Sequence, residues 1–465
     1  MSLFTSCATR ESRSTLGKKW PGSEPEVDLS RYEDIQKRPG QRSDVAVAVA
    51  ISGGGMRAAN FAAGVLKALE GVKVRGVNGT ESNLLREVDY FSTVSGGGLA
   101  AGSYISLLNS YQLRNPADPA AKEFSFSALE KGSGRGWRSA LSRDYQASLV
   151  RALLNPLMAG PFDRGDILEE RLDDNILGRA NGRSLRLSDV FVPKGTIPKM
   201  PYWITNGTVF ENGAIFPFTP DVIEKYGVNG YNHRLTTRKL TRPEDLPLSV
   251  GLKTSASFPV AIPPTTLQSG LDPAHPVIHL MDGGVADNLG VVTALRLLRK
   301  DKARKKVLIV IDAYNGVTEP FSKRGIRPGP VGAALRSTSI SLDSAHQRIH
   351  GFLDVAGKSG SVRHAVIDFT SATSAEPDEA GLGSYMTDQL LATLGMDSMR
   401  QEDTSPQSLQ AVFTQALGVG TWFRIDRKSQ EILLTAGENA VFEVNGTPGT
   451  PRKLLEPIRA VISEF

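Results

Sequence analysis

Seven consecutive apolar residues, Val45-Ala46-Val47-Ala48-Val49-Ala50-Ile51, follow a polar stretch and alternate β-branched side chains with alanine. A run of that length with no polar face predicts a strand buried on both sides. It ends in Ser52-Gly53-Gly54-Gly55-Met56-Arg57, after which Phe61, Val65, Leu66 and Leu69 recur at helical spacing. The same order returns downstream: Tyr90 to Val94 as strand, Ser95-Gly96-Gly97-Gly98 as turn, and Leu99 to Leu108 as helix. Two such units in succession predict an α/β fold with a central, mostly parallel sheet flanked by helices. Further on, Val277 to Met281 leads into Asp282-Gly283-Gly284 and a helix carrying Leu289, Val292, Leu295 and Leu298. Val307 to Ile311 then reads as another buried strand.

The segments around this pattern define the expected organisation. Residues 1-43 are polar, charge-balanced and aperiodic, and read as a flexible lead-in. Residues 44-372 form the α/β domain, interrupted at 109-200 by a helical cap insertion. The cap carries a Gly132-Ser133-Gly134-Arg135-Gly136 hinge, an amphipathic series of Trp137, Leu141, Tyr145, Leu149 and Leu153, and a helix around Ile167 to Ile176. Residues 373-465, with mixed helix and short-strand signals, are expected to pack on the same domain as a C-terminal extension.

Composition narrows the class. Of 465 residues, 40% are hydrophobic and 22% charged, which suits a globular protein and excludes wholesale disorder. The net charge of +5 is dispersed along the chain, so no nucleic-acid partner is expected. The single cysteine, Cys7, excludes an intrachain disulfide and any zinc site built on paired thiolates. No uncharged apolar run approaches the roughly 18 to 20 residues of a membrane-spanning helix. Phe4-Thr5-Ser6-Cys7 loosely resembles the end of a bacterial lipoprotein signal without the segments that precede such a cysteine, so lipid anchoring at Cys7 stands beside a free thiol in a flexible tail.

A serine at the tip of a strand-to-helix turn has an exposed hydroxyl and unpaired neighbouring amides, and Ser95 fits that description. The usual pattern is G-x-S-x-G, which here reads Thr93-Val94-Ser95-Gly96-Gly97, so Thr93 must fit beneath the turn as the last strand residue. Taken alone, the turn reads as structure as readily as a nucleophile. Gly53-Gly54-Gly55 opens a helix and offers an anion site. A nucleotide phosphate loop fails because Arg57-Ala58-Ala59 supplies neither lysine nor hydroxyl, and a dinucleotide fingerprint fails at Ala58. An oxyanion hole needs only two or three amides, with Arg57 orienting the loop, adding charge, or standing as an ordinary surface residue.

The base is open at this level. His346, His350 and His364 lie downstream of Asp282, which keeps a Ser, Asp, His order possible. Asp282 itself ends an apolar strand, at the same edge of a parallel sheet as Ser95, where burial raises a carboxylate pKa toward that of a useful base; a D-G-G turn is also a common structural device. His346 and His350 are one turn apart, yet Gln347 stands where zinc proteases carry glutamate, so no metal or other cofactor is expected. The basic run Arg296 to Lys306 reads as a solvated helix end or an attraction to anionic lipid. Asn78, Asn206 and Asn445 begin nominal glycosylation sequons.

Together these motifs resemble the patatin-like phospholipase family. Gly53-Gly54-Gly55-Met56-Arg57 matches its oxyanion loop, Gly64-Val65-Leu66 its following helix, Ser95 its nucleophile and Asp282-Gly283-Gly284 its aspartate motif. Thr254-Ser255-Ala256-Ser257-Phe258-Pro259 resembles a further segment of that fold. The resemblance covers about Val45 to Asp312, with Thr93 and Ala58 as departures. It implies a patatin-like three-layer fold and a lipid acyl hydrolase using a Ser95–Asp282 dyad without histidine. The oxyanion hole would come from Gly53, Gly54, Gly55 and Gly96, with support from Arg57, Gly283 and Gly284. The implied partner is a lipid ester at a membrane or micelle surface, and the cap stripe would line an acyl channel, dock on that surface, or simply pack. A catalytically silent lipid-binding scaffold and an acyltransferase are the alternative readings.

Overall fold

The Val45–Ile51 run forms strand β1, buried along its whole length, inside a ten-stranded sheet. The computed structural model describes residues 37–131, 136–145, 164–180, 182–193, 195–234, 236–259, 261–314, 362–369, 424–442 and 453–463, with isolated residues between 340 and 353 and at 451. From β1 the chain passes through α1 (Gly55–Gly71) to β2 (Tyr90–Thr93) and through α2 (Gly96–Arg114) and α3 (Arg164–Leu172) to β3 (Tyr202–Val209). β4 (Ile215–Pro217) folds back on β3, and β5 (Val228–His233) and β6 (Thr236–Lys239) make a hairpin. Helix α4 (Leu248–Ser255) then precedes β7 (Thr265–Ser269) and β8 (Val277–Asp282). The remainder is α5 (Val291–Lys300), β9 (Lys305–Asp312), β10 (Arg363–Asp368), α6 (Arg427–Val441) and α7 (Glu456–Ser463).

Across the sheet the order is β6-β5-β7-β8-β3-β2-β1-β9-β10. Strands β3, β2, β1, β9 and β10 are mutually parallel and form the core expected from the repeated strand-turn-helix units. The crossovers step in one direction across the sheet, from β1 to β2 to β3, and α1 and α2 pack on each other. Helix α5, returning in the opposite direction, packs on β1, β2 and β9. The result is the expected three-layer α/β arrangement.

The edge on which Asp282 sits needs a correction. β8 is not part of the parallel set; it pairs antiparallel with β3. Register nevertheless brings its end to the right level. Thr205 of β3 lies opposite Thr93 at the end of β2, and β3 continues to Gly207, which lies opposite Asp282. The last residue of β8 is therefore level with the turn that follows β2.

Packing and secondary structure run across two of the segment limits read from the sequence. Packing begins before residue 44, because Lys37 pairs with Asp89 at 2.8 Å and the Arg38 guanidinium donates to the carbonyls of Arg86 and Val88. Helix α2 runs to Arg114, into the segment expected to be cap. Within that segment Trp137, Leu141 and Tyr145 are core residues, with Trp137 stacked on Phe126 at 4.8 Å, so this part of the stripe packs inward. Leu149, Leu153, residues 132–135 and Cys7 lie outside the described residues. At the C-terminal end, α6 lies so close along α1 that a Cβ on Gly64 would stand 2.2 Å from the Leu434 carbonyl. No helix among the described residues is long and apolar enough to cross a membrane.

Candidate active site

Ser95 sits between β2 and α2 with φ 48° and ψ −121°, a conformation that costs a non-glycine residue about 1–3 kcal/mol. The surroundings hold it there. Its amide donates to Ser255 Oγ at 2.9 Å, and Ser255 is the wholly buried last residue of α4. Beneath the turn, Thr93 Oγ1 accepts from Trp203 Nε1 at 3.0 Å, so the β-branched residue in place of the elbow glycine is packed and hydrogen-bonded without displacing the serine.

The first glycine turn lies against this one. Gly54 has φ 137°, closed to L side chains, and a Cβ at Gly96 would stand 1.9 Å from the Gly55 carbonyl. Gly96→Ala is thus expected to push the two loops apart, destabilising the protein by about 1–3 kcal/mol; urea denaturation of the variant measures it. The amides are not equivalent. Gly53 N–H donates to the Asn288 carbonyl at 2.9 Å and is already committed to holding the loop. Gly54, Gly55 and Gly96 occupy the capping or first positions of α1 and α2, where amides have no acceptor within the helix. Arg57 is not a surface residue. It is 5% exposed, and its Nε donates to the Ala313 carbonyl at 3.1 Å, tying the loop to the end of β9. Burial lowers its pKa to about 10, opposed by Asp312 and Tyr314, so it stays cationic at neutral pH.

Asp282 is buried at the end of β8. Its Oδ1 accepts from Gly284 N–H at 2.8 Å, and the Ser95 hydroxyl faces the same carboxylate closely enough to favour its charged form. Desolvation outweighs both and pushes the pKa up to about 7. The backbone of Asp282 is clamped from both sides: its amide donates to Ser257 O at 3.0 Å and its carbonyl accepts from Thr208 Oγ1 at 2.8 Å. Gly283 lies against the Asn206 backbone.

No histidine is among the groups acting on Asp282. His346 instead faces Asp312 at 3.2 Å and lies against the Tyr314 ring, His364 is on β10, and His350 lies outside the described residues. Asn206, read as a sequon, is a buried strut: it donates to Ser92 Oγ and the Thr93 carbonyl and accepts from Thr293 Oγ1 at 2.6 Å. Ser255, Ser257, Asn206 and Asn288 hold the turns in place, and no local pattern marks any of them for that part. The only signal was the 254–259 segment as a whole.

A family model described as patatin-like phospholipase matches residues 49–295, just over half of the chain and all three glycine turns. Among solved structures, human GIVD cytosolic phospholipase A2 is similar at 13% identity and a TM-score of 0.37, over 86% of this chain and 58% of that one. The same human protein in complex with methyl gamma-linolenyl fluorophosphonate and terbium chloride gives 14% identity, a TM-score of 0.34, and coverage of 94% and 63%. The chain thus spans less than two thirds of the length of these human structures. No curated protein matches the sequence. On the family match, this chain belongs to the patatin-like phospholipase family.

Proposed function

We propose that this protein is a serine acyl hydrolase that cleaves fatty-acyl esters of phospholipids or related lipids, presented at a membrane or micelle surface. The observation that carries the reading is Ser95, held at a strained turn, facing a buried carboxylate whose pKa lies near 7. In the ionised state Asp282 takes the proton from the Ser95 hydroxyl as its oxygen adds to the ester carbonyl. The negative oxygen that forms is held by the amides of Gly54, Gly55 and Gly96, with the positive ends of α1 and α2 behind them. Asp282 returns the proton to the departing alkoxide, leaving an acyl ester on Ser95. Water then adds to that ester, giving one proton to Asp282; as the tetrahedral intermediate collapses and the fatty acid leaves, Asp282 returns that proton to the Ser95 oxygen and is ionised again.

A fluorophosphonate probe tests this directly. Mass spectrometry of the treated protein is expected to find the adduct on Ser95; liposome binding without any adduct would favour the silent scaffold. Acyl product on an added alcohol in preference to water would instead identify an acyltransferase.

Ser255→Ala separates positioning from folding. It leaves the buried Ser95 amide without its acceptor, a cost of about 1–3 kcal/mol, and frees the turn to relax. The expected result is a kcat lower by about 10- to 100-fold with KM nearly unchanged, and recovery in Ser255→Thr, which keeps the hydroxyl. Steady-state hydrolysis of a short-chain ester measures both constants.

A further inference from the structure

Away from the serine, three potential ligands converge on one point. Asp166 and Glu169 lie three residues apart on α3, on one helical face, and both are 6% exposed. His233, at the end of β5, turns its Nδ1 toward them, 3.5 Å from Glu169 Oε2 and 3.9 Å from Asp166 Oδ1. The three ligand atoms all lie within 4.8 Å of one another. Ligand atoms on a tetrahedral zinc at about 2.0–2.1 Å stand about 3.4 Å apart, so a small contraction closes the set.

Two further features point to a cation. Nδ1 of His233 is buried and meets two carboxylates only at ion-pair range, without a hydrogen bond of good geometry to either. The opposite nitrogen, Nε2, lies 3.5 Å from Glu170 Oε1, and Glu170 is itself ion-paired with Arg234. An imidazole with one nitrogen toward the ligand position and the other toward a carboxylate is the arrangement that fixes the tautomer of a metal-bound histidine. Ser249 Oγ contacts Glu169 Oε1 at 3.4 Å, extending the set to α4.

We propose that Asp166, Glu169 and His233 bind one zinc ion, which fastens α3 to the β5–β6 hairpin. One imidazole nitrogen with two carboxylate oxygens suits zinc over magnesium, which keeps oxygen ligands and octahedral geometry. The site is independent of the serine chemistry.

The test uses the full chain, stripped with EDTA and titrated with zinc chloride by calorimetry, with melting followed in parallel. The wild type is expected to bind one equivalent at micromolar concentrations and to melt several degrees higher with zinc, while magnesium does neither. His233→Gln and Glu169→Gln are each expected to lose at least about 100-fold in affinity, and Glu170→Gln about 10- to 100-fold. His275→Ala, at an exposed imidazole elsewhere, serves as the control and keeps full affinity. If His233→Gln fails to fold, Glu169→Gln and the visible spectrum of the cobalt-substituted wild type, which reports a tetrahedral nitrogen and oxygen set, decide the question. No saturable zinc binding by the wild type, or equal binding by the wild type and both ligand variants, would overturn the proposal.

Discussion

Replacing Ser95 by alanine is expected to lower kcat for ester hydrolysis by at least about 10⁴-fold, while the protein keeps its fold. The hydroxyl is the only group the substitution removes, and the turn that strains the residue is held through its backbone amide, by Ser255, rather than through that hydroxyl. Alanine must still adopt φ 48°, so the melting temperature should stay close to that of the wild type. Ser95→Gly makes a useful companion. It loses activity to the same extent but relieves the positive φ, and should gain about 1 kcal/mol in stability. Both variants should also lose labelling by the fluorophosphonate. Hydrolysis of a chromogenic ester and a urea melt measure the two effects, and substantial turnover in either variant would exclude Ser95 as the nucleophile.

How far the sequence anticipates this site depends on whether a signal is local. The β1 run is legible because a strand buried on both faces has to be apolar throughout, and each turn is legible because close loop approach leaves room only for glycine. The antiparallel wing is not. β5 reads Val228-Asn229-Gly230-Tyr231-Asn232-His233, with residues of weak strand preference on an exposed face, and β6 is exposed throughout. β8 is legible as a strand, but its direction is hidden, because the sense of pairing depends on the neighbouring strand and not on its own residues. Asp282 reaches Ser95 through the register of β3 between two strands of opposite sense, which no single segment encodes.

The donors show the same limit. Gly53, Gly54 and Gly55 are indistinguishable in sequence, and what separates them is the Asn288 carbonyl, which arrives from the loop after β8 and occupies only the first amide. Asn206 matches a sequon over three residues, but its place in a wholly buried strand makes it a link between β2 and α5. Local pattern thus marks the residues proposed to react, whereas those that hold them come from distant segments and carry ordinary side chains.

Asp282→Asn is expected to lower kcat by about 10³- to 10⁴-fold and to remove the pH dependence that the carboxylate imposes. In the wild type, kcat/KM should rise with pH and level off above about 7, as the base loses its proton. The residual rate of the amide variant should show no such rise. Stability should move the other way. An aspartate in the unfolded chain titrates near 4, so between there and about 7 the native protein holds a proton that the unfolded chain has released. Wild-type stability from this group is therefore greatest at the acid end of that window and falls as pH rises through it, because above 7 a buried negative charge must be kept. Asparagine carries no charge to bury. The variant is expected to melt above the wild type at pH 8, with the difference shrinking toward pH 5, and paired melting curves at the two pH values read the sign directly. A variant that is inactive but melts below the wild type by the same amount at both pH values would show that Asp282 is held as a structural acceptor, not as an ionisable base kept at the cost of stability.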